Sequence, residues 1–219
     1  MQPSSTGYPV RVRGDLDAGL SRWMWLVKWI LAIPHVIVLI FLHIAYLLVT
    51  IGAFFAILIT GGYPRVLFDF NVGVMRWAWR VRFYAYSALG TDRYPPFSLQ
   101  PDPDYPADLE VDYPQQLHRG LVLIKWWLLA IPHYLIAAVF VGAGRYQMPL
   151  LPILVVIGVI GLLFTGQYPR GLFDFVIGIN RWLYRVRVYA SLMTDEYPPF
   201  RLDQGPREPE QPVAATPSA

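Results

Sequence analysis

Two closely similar lines of sequence decide the fold: YPRVLFDFNVGVMRWAWRVRFY at residues 63–84 and YPRGLFDFVIGINRWLYRVRVY at residues 168–189. Both lines place one aspartate and four arginines at the same positions among aromatic and aliphatic residues. Shorter matches surround them in the same order: ILAIPH (30–35) returns as LLAIPH (128–133), and TDRYPPFSL (91–99) returns as TDEYPPFRL (194–202). The chain is therefore predicted to be a tandem duplication.

The composition is typical of an integral membrane protein. Hydrophobic residues make up 55% of the chain and charged residues 15%, and the mean hydropathy is positive. Globular domains carry about 25% charged residues, so this chain has few side chains for a surface that faces water. The runs 29–60 and 149–166 contain no residue that is charged at neutral pH, and a helical span of a bilayer needs about 20 apolar residues. We therefore expect the protein to be located in the cell membrane.

The second copy divides into two predicted spans. Residues 120–144 form one apolar segment of span length, and residues 150–166 form a second, short one. RYQMP (145–149) separates them as a turn, because it brings a charge, polar groups and a proline. The first copy lacks this turn. Its apolar stretch from Ile33 is therefore either a tight helical hairpin or one helix of about 28 residues.

The arginines decide between these alternatives. Except for Arg145, they lie before the first apolar run, between the two copies, or after the last run. Two crossings per copy bring all of these to one side of the membrane, which the positive-inside rule makes cytoplasmic. The predicted fold is an all-α membrane protein with four transmembrane helices in two parallel repeats, two amphipathic interfacial helices and short cytoplasmic β-strands. Its N- and C-termini are predicted to be cytoplasmic.

Local composition sets the predicted domain boundaries. Residues 8–15 and 107–114 alternate polar and apolar side chains, which predicts a short strand at the start of each copy. The tail is rich in proline and polar residues, which is typical of disorder. The predicted units are a disordered N-terminus (1–7), a first membrane repeat (8–99), a linker (100–106), a second membrane repeat (107–202) and a disordered tail (203–219).

The charges of the two quoted lines form a stripe when each line is read as a helix. At about 100° per residue, each stripe is roughly 60° wide. The stripes consist of Arg65, Asp69, Arg76 and Arg80 in the first copy and of Arg170, Asp174, Arg181 and Arg185 in the second. A full span is disfavoured, because each Arg or Asp at mid-bilayer costs about 2.5–3.5 kcal/mol. The aromatic residues around the stripe instead predict helices that lie in the membrane interface.

Three roles for the stripe remain open. Asp69 can neutralise a neighbouring arginine, so that the charges form a ladder that fixes the helix against the spans. Alternatively, the inner arginines can bind phosphate or anionic lipid; these are Arg76, Arg80, Arg181 and Arg185. A catalytic or ion-carrying role for Asp69 and Asp174 is the third alternative.

Other ionisable side chains lie within or beside the apolar runs. His35 and His133 each follow a proline, and an imidazole there can satisfy backbone groups that a proline kink leaves free. Alternatively, the two histidines face each other as a proton relay or a metal pair. Two histidines alone are an incomplete site, so no metal is predicted. Lys28 and Lys125 are expected to anchor the span starts by extending to lipid headgroups.

Signatures of catalysis are absent from the sequence. It contains no GxSxG, P-loop or HExxH motif, and no GxGxxG at a strand–helix junction. It contains no cysteine, which excludes disulfides and thiolate chemistry. Its basic residues alternate with membrane-seeking aromatics, which argues against nucleic acid as a partner. We therefore expect neither enzymatic activity nor a cofactor.

The repeated pattern YPRxLFDFxxGxxRWxxRVxxY, followed by YPPF, resembles a bacterial integral membrane family known as domain of unknown function 4389. The resemblance covers nearly the whole chain apart from its tails. It implies a duplicated membrane protein with several spans, and it implies no activity.

These observations favour a non-enzymatic structural or interaction protein at the cytoplasmic face of the membrane. Its expected partners are membrane lipids, anionic ones in particular, and a second copy of the chain or another membrane protein. The alternative is a small transporter or channel component that uses His35 and His133.

Overall fold

Helices form most of the structure, and their order follows the duplication. The computed structural model describes residues 7–142 and 149–207. The elements of the first copy are β1 (Val10–Gly14), α1 (Trp25–Leu31), α2 (Ile33–Thr60) and α3 (Arg65–Ala85). Those of the second are β2 (Ala107–Val111), α4 (Arg119–Val122), a π-helical turn (Lys125–Leu129), α5 (Ile131–Val141), α6 (Leu150–Thr165) and α7 (Arg170–Ala190). Arg145, most of the predicted RYQMP turn, residues 1–6 and the tail from 208 lie outside the described residues.

The two strands pair with each other, and each packs on a helix of the other copy. β1 and β2 are antiparallel, with Val12 opposite Leu109 at the centre of the register. β1 contacts α7, whereas β2 contacts α3. The prediction of a short strand at the start of each copy is confirmed. Because the strands are exchanged, neither copy completes its own packing without the other.

The elements form three layers. The two-stranded sheet lies on one side of α3 and α7, and α2, α5 and α6 lie on the other. Within α3, Arg76 and Arg80 meet the sheet, whereas Ala78, which is roughly opposite them around the helix, packs with Leu39 of α2. Aromatic contacts join the two central helices, with the rings of Trp79 and Tyr184 5.5 Å apart.

The prediction of four transmembrane helices is not supported. Among the described residues, only α2 is both long enough and apolar enough to cross a membrane. α5 has 11 residues and α6 has 16, which is short of the roughly 20 residues that a span requires. A multi-pass arrangement with both termini in the cytoplasm is therefore not supported either.

The preferred hairpin in the first copy is wrong, and the alternative of a single long helix is correct. α2 runs for 28 residues and ends where Gly61 adopts a left-handed φ of 77°. No proline lies between His43 and Thr60, and the cost of Gly52 alone, about 1 kcal/mol relative to Ala, does not interrupt the helix. In the second copy, Gly142 ends α5 with a φ of 80°. The second copy is about seven residues longer than the first at this point, and α6 begins at Leu150.

The two predicted interfacial helices form the core instead. Most side chains of α3 from Asn71 to Ala85 are buried, and so are most side chains of α7 from Val176 to Tyr189. Periodicity identified these helices and their charged stripe correctly. It misplaced them because their aromatic residues pack on each other and on the sheet, which leaves little of their surface for lipid.

Candidate functional site

The outer ends of the two charge stripes are exposed. Arg65 donates to the carboxylate of Asp69 at 3.0 Å, with 64% and 55% of the two side chains exposed. In the second copy, Arg170 is exposed and Asp174 is half-buried. An ion pair as exposed as that of Arg65 contributes at most about 1 kcal/mol. Asp69 therefore neutralises Arg65, and the inner arginines pair with other carboxylates.

The inner arginines of the first copy are buried against the sheet. Arg76 donates to the carbonyl oxygens of Leu109 and Leu99, both at 3.0 Å, and pairs with Asp108 at 3.0 Å. Arg80 has no exposed side-chain surface and pairs with the same carboxylate at 3.3 Å. Burial lowers the pKa of Arg80, while the charge of Asp108 opposes this shift. One aspartate of the second copy thus binds two arginines of the first.

The inner arginines of the second copy make equivalent contacts with different residues. Arg181 donates to the carbonyl oxygen of Val12 at 3.0 Å and to that of Gly205 at 3.0 Å. Val12 lies opposite Leu109 in the sheet. Arg181 and Arg76 therefore bind the central backbone carbonyl of each strand, that of Val12 and that of Leu109. Arg185 is fully buried and pairs with Asp203 at 2.7 Å. The four inner arginines therefore bind the exchanged strands and the chain that follows each YPPF motif.

Sequence reasoning missed the acidic partners of these arginines, because the repeats do not share them. Asp108 aligns with Arg11 of the first copy, and Asp203 aligns with Gln100. Comparison of the repeats therefore gave no signal for either carboxylate. The inner arginines join each helix to the sheet and to the chain after YPPF, whereas the ladder interpretation placed these contacts between the helix and membrane spans.

Each histidine lies in an aromatic cage of its own copy. Trp77 donates its indole N–H to His35 Nδ1 at 3.0 Å, and the ring of Phe97 stacks on the imidazole at 3.8 Å. His133 donates from Nε2 to the carbonyl oxygen of Pro198 at 3.0 Å, and Phe200 stacks on it at 4.4 Å. The two rings are therefore enclosed separately, and the alternative in which they face each other as a proton relay or metal pair is wrong.

The lysines near the predicted span starts are buried and paired. Lys28 donates to the carbonyl oxygen of Thr91 at 2.6 Å and pairs with Asp92 at 2.7 Å. Lys125 pairs with Asp195 at 2.6 Å and has no exposed side-chain surface. Burial lowers the pKa of both lysines, and the two carboxylates oppose this shift. The expectation that these lysines extend to headgroups is wrong.

Lysine and histidine together hold the YPPF segment of each copy. In the first copy, Lys28 binds the residues before this segment and His35 stacks on the phenylalanine within it. The carboxylate of Asp92 also accepts the backbone N–H of Ser21 at 2.6 Å, and that of Asp195 accepts the N–H of His118 at 2.6 Å. The repeated TD dipeptide was the signal that could have identified both aspartates. The paired charges thus hold the loops in place.

Comparison with known proteins identifies the helical part of each copy. No curated protein and no solved structure matches the chain. The model of a family described as domain of unknown function (DUF4389) matches residues 22–98 and again residues 121–201. Each match runs from the first apolar helix through the arginine helix to the YPPF segment, and neither includes an exchanged strand. The resemblance seen in the sequence is confirmed: the chain belongs to the DUF4389 family and contains its domain twice in tandem.

Proposed function

We propose that this protein is a non-enzymatic membrane protein that lies in one leaflet of the bilayer and presents a charged sheet to the aqueous side. The observation that carries the proposal is the outer surface of α1, α2, α5 and α6. This surface is built from large apolar side chains that no other part of the described chain covers. Scattered exposed hydrophobics are ordinary, but a contiguous face of them marks a membrane or partner contact.

The exposed face of α2 illustrates this surface. Phe41, Leu48 and Phe55 are spaced seven residues apart and are 68%, 63% and 55% exposed. Only 17% of the most apolar 18-residue window of α2 is buried, which distinguishes it from the core helix of a globular domain. Equivalent exposed side chains on the second copy are Leu135, Val139, Val156, Ile157 and Phe164. Aromatic residues at the helix starts suit headgroup depth, among them Trp23, Trp29, Trp126 and Trp127.

The layer order favours a helix that lies in the membrane plane over one that crosses it. α2 and α3 pack side by side, and Tyr46 near the middle of α2 contacts Met75 in the middle of α3. One residue further on, Arg76 meets the charged sheet. A bilayer crossed by α2 would therefore also contain the sheet with its exposed Arg11 and Glu110. A helix that lies flat immerses its apolar face by about 5–10 Å and leaves the sheet in water.

The buried charges support a structural role. The inner arginines and the lysines already have carboxylate or carbonyl partners within the chain, so we assign them to holding the sheet and loops. The transporter alternative gains no support from the histidines, because each is enclosed by rings of its own copy. The proposed activity is therefore contact with lipid through the apolar layer and with other molecules through the sheet.

Flotation with phosphatidylcholine vesicles tests this proposal. Val156→Ser removes apolar surface from the layer, and Phe41→Ser removes more. Burying a valine or phenylalanine side chain contributes about 1.5–3 kcal/mol. We therefore expect the partition of each variant into vesicles to fall about tenfold or more. Val66→Ser is the matched control, because Val66 is 79% exposed but lies one turn from Asp69 on the charged side of α3.

Unchanged partition of Phe41→Ser and Val156→Ser would contradict the proposal. So would a wild-type chain that stays out of the vesicles and forms a discrete oligomer without detergent. That result would mean that protein and not lipid covers the apolar layer.

A further inference from the structure

The last arginine of α3 and the last arginine of α7 lie outside the charge stripe. Arg82 and Arg187 occupy equivalent positions in α3 and α7. Neither forms an ion pair with any carboxylate in the part of the chain that the structure describes. Both lie at least a third of a turn from the inner arginines, on the side that meets the apolar layer. These two positive charges are therefore not explained by the contacts that hold the sheet.

The two guanidinium groups lie in one neighbourhood between the copies. Arg82 lines the same cavity as His43 of α2, and the rings of His43 and Tyr46 lie 6.4 Å apart. The guanidinium of Arg187 lies 5.0 Å from the centre of the Tyr46 ring. Like charges that share a site repel each other, and an anion between them removes this cost.

An apolar groove begins at Arg187. It has a volume of about 640 Å³ and lies between α2 of the first copy and α5 of the second, with α7 as its floor. Ile51 and Phe54 line one wall, Ala137 lines the other, and Leu183 forms part of the floor. A second cavity of about 340 Å³ contains Arg82 together with apolar side chains of α2. The groove thus combines apolar walls with positive charge at its base.

We propose that this groove binds an anionic lipid, with one acyl chain between α2 and α5 and the phosphate between Arg82 and Arg187. The inference rests on the proposed position of the protein in the leaflet. In that position, the outer faces of α2 and α5 lie in the hydrocarbon, and α7 lies one helix layer closer to water. The arginines are then at the depth of the lipid phosphates, and the groove leads from them into the hydrocarbon. Arginine suits this contact because its planar group donates two hydrogen bonds to one phosphate.

Lipid retention in detergent tests the site without requiring membrane insertion. The protein is purified in a mild detergent and mixed with phosphatidylglycerol or phosphatidylcholine, and the bound lipid is measured by native mass spectrometry. We expect the wild-type chain to retain phosphatidylglycerol preferentially. Arg82→Gln and Arg187→Gln each remove one charge-assisted contact with the phosphate. Either variant should therefore weaken retention of phosphatidylglycerol about tenfold. The double variant Arg119→Gln, Arg170→Gln is the control, because both of these arginines are exposed and lie outside the groove.

A third variant separates lipid from free anion. Ala137→Phe fills the groove and is expected to reduce retention of phosphatidylglycerol while it leaves binding of inorganic phosphate unchanged. If inorganic phosphate displaces the bound lipid and Ala137→Phe has no effect, the arginines bind a free anion. That result would overturn the lipid site. Equal retention of the two lipids by the wild-type chain would also overturn it. Flotation of the arginine variants on phosphatidylcholine vesicles should stay normal, so failure of this site is distinguishable from failure of the proposed function.

Discussion

Asp108→Asn is expected to lower the free energy of unfolding by about 3–5 kcal/mol, because it leaves two buried guanidinium groups without their carboxylate. Arg80 has no exposed side-chain surface, and Asp108 itself is 11% exposed. Water therefore cannot replace the lost charge. Asparagine retains the size and one acceptor oxygen of aspartate, so the loss reflects charge and not volume. Unfolding by urea in a mild detergent, followed by tryptophan fluorescence, measures it.

Asp69→Asn is the matched control for this variant. It also replaces one carboxylate that pairs with the stripe of α3, but its pair with Arg65 is more than half exposed. Its expected cost is at most about 1 kcal/mol. Adding Arg80→Met to Asp108→Asn should recover part of the loss, since an apolar side chain needs no buried partner. Equal destabilisation by Asp69→Asn and Asp108→Asn would contradict the account of the buried ladder.

Cutting the chain after Gln100 is expected to abolish folding of each half on its own and to permit their reassembly. After the cut, β1 belongs to the first half, but it contacts β2 and α7, which belong to the second half. β2 belongs to the second half, but Arg76 and Arg80 of the first half bind it. The first half alone would lose Asp108, which pairs with Arg76 and Arg80, and the second half alone would lose the Val12 carbonyl that Arg181 binds. Each half would also lose the partner of its strand, and the marginal stability of a half-sized core does not offset these losses.

Co-expression of the two halves tests this expectation. A tag on the first half should capture the second in equal amount, with the circular dichroism of the intact chain. A half that is soluble alone should be a dimer, in which a second copy supplies the missing strand. A folded monomeric half would show that the strand exchange is dispensable.

The sequence predicted the elements of this fold better than it predicted their assembly. Periodicity identified both arginine helices, both strands and the long apolar run, since each of these depends on local order of polar and apolar residues. It could not show that the aromatic residues of α3 and α7 meet one another, because contacts such as that between Trp79 and Tyr184 join distant parts of the chain. The charged stripe was therefore assigned to a lipid interface, although its inner arginines lie beneath the sheet.

The candidate site shows the same division. The repeat identified the inner arginines but not Asp108 or Asp203, which occur in one copy each. The helical periodicity identified the stripe but gave no reason to single out Arg82 and Arg187, which lie on the other side of the same helices. A sequence does not distinguish a charged side chain that is paired inside the protein from one that binds a ligand. The contacts of the side chain in the structure distinguish the two.

The depth of α2 in the bilayer tests the central claim most directly. The chain contains no cysteine, so a spin label can be attached to a single cysteine in place of Phe41, Leu48 or Phe55 without other changes. These positions share one face of α2, and oxygen and nickel-complex relaxation in vesicles reports the depth of each label. A helix that lies in one leaflet places all three labels at the same depth. Labels at the two ends near opposite interfaces, with residue 48 deepest, would show that α2 crosses the membrane and would contradict the account.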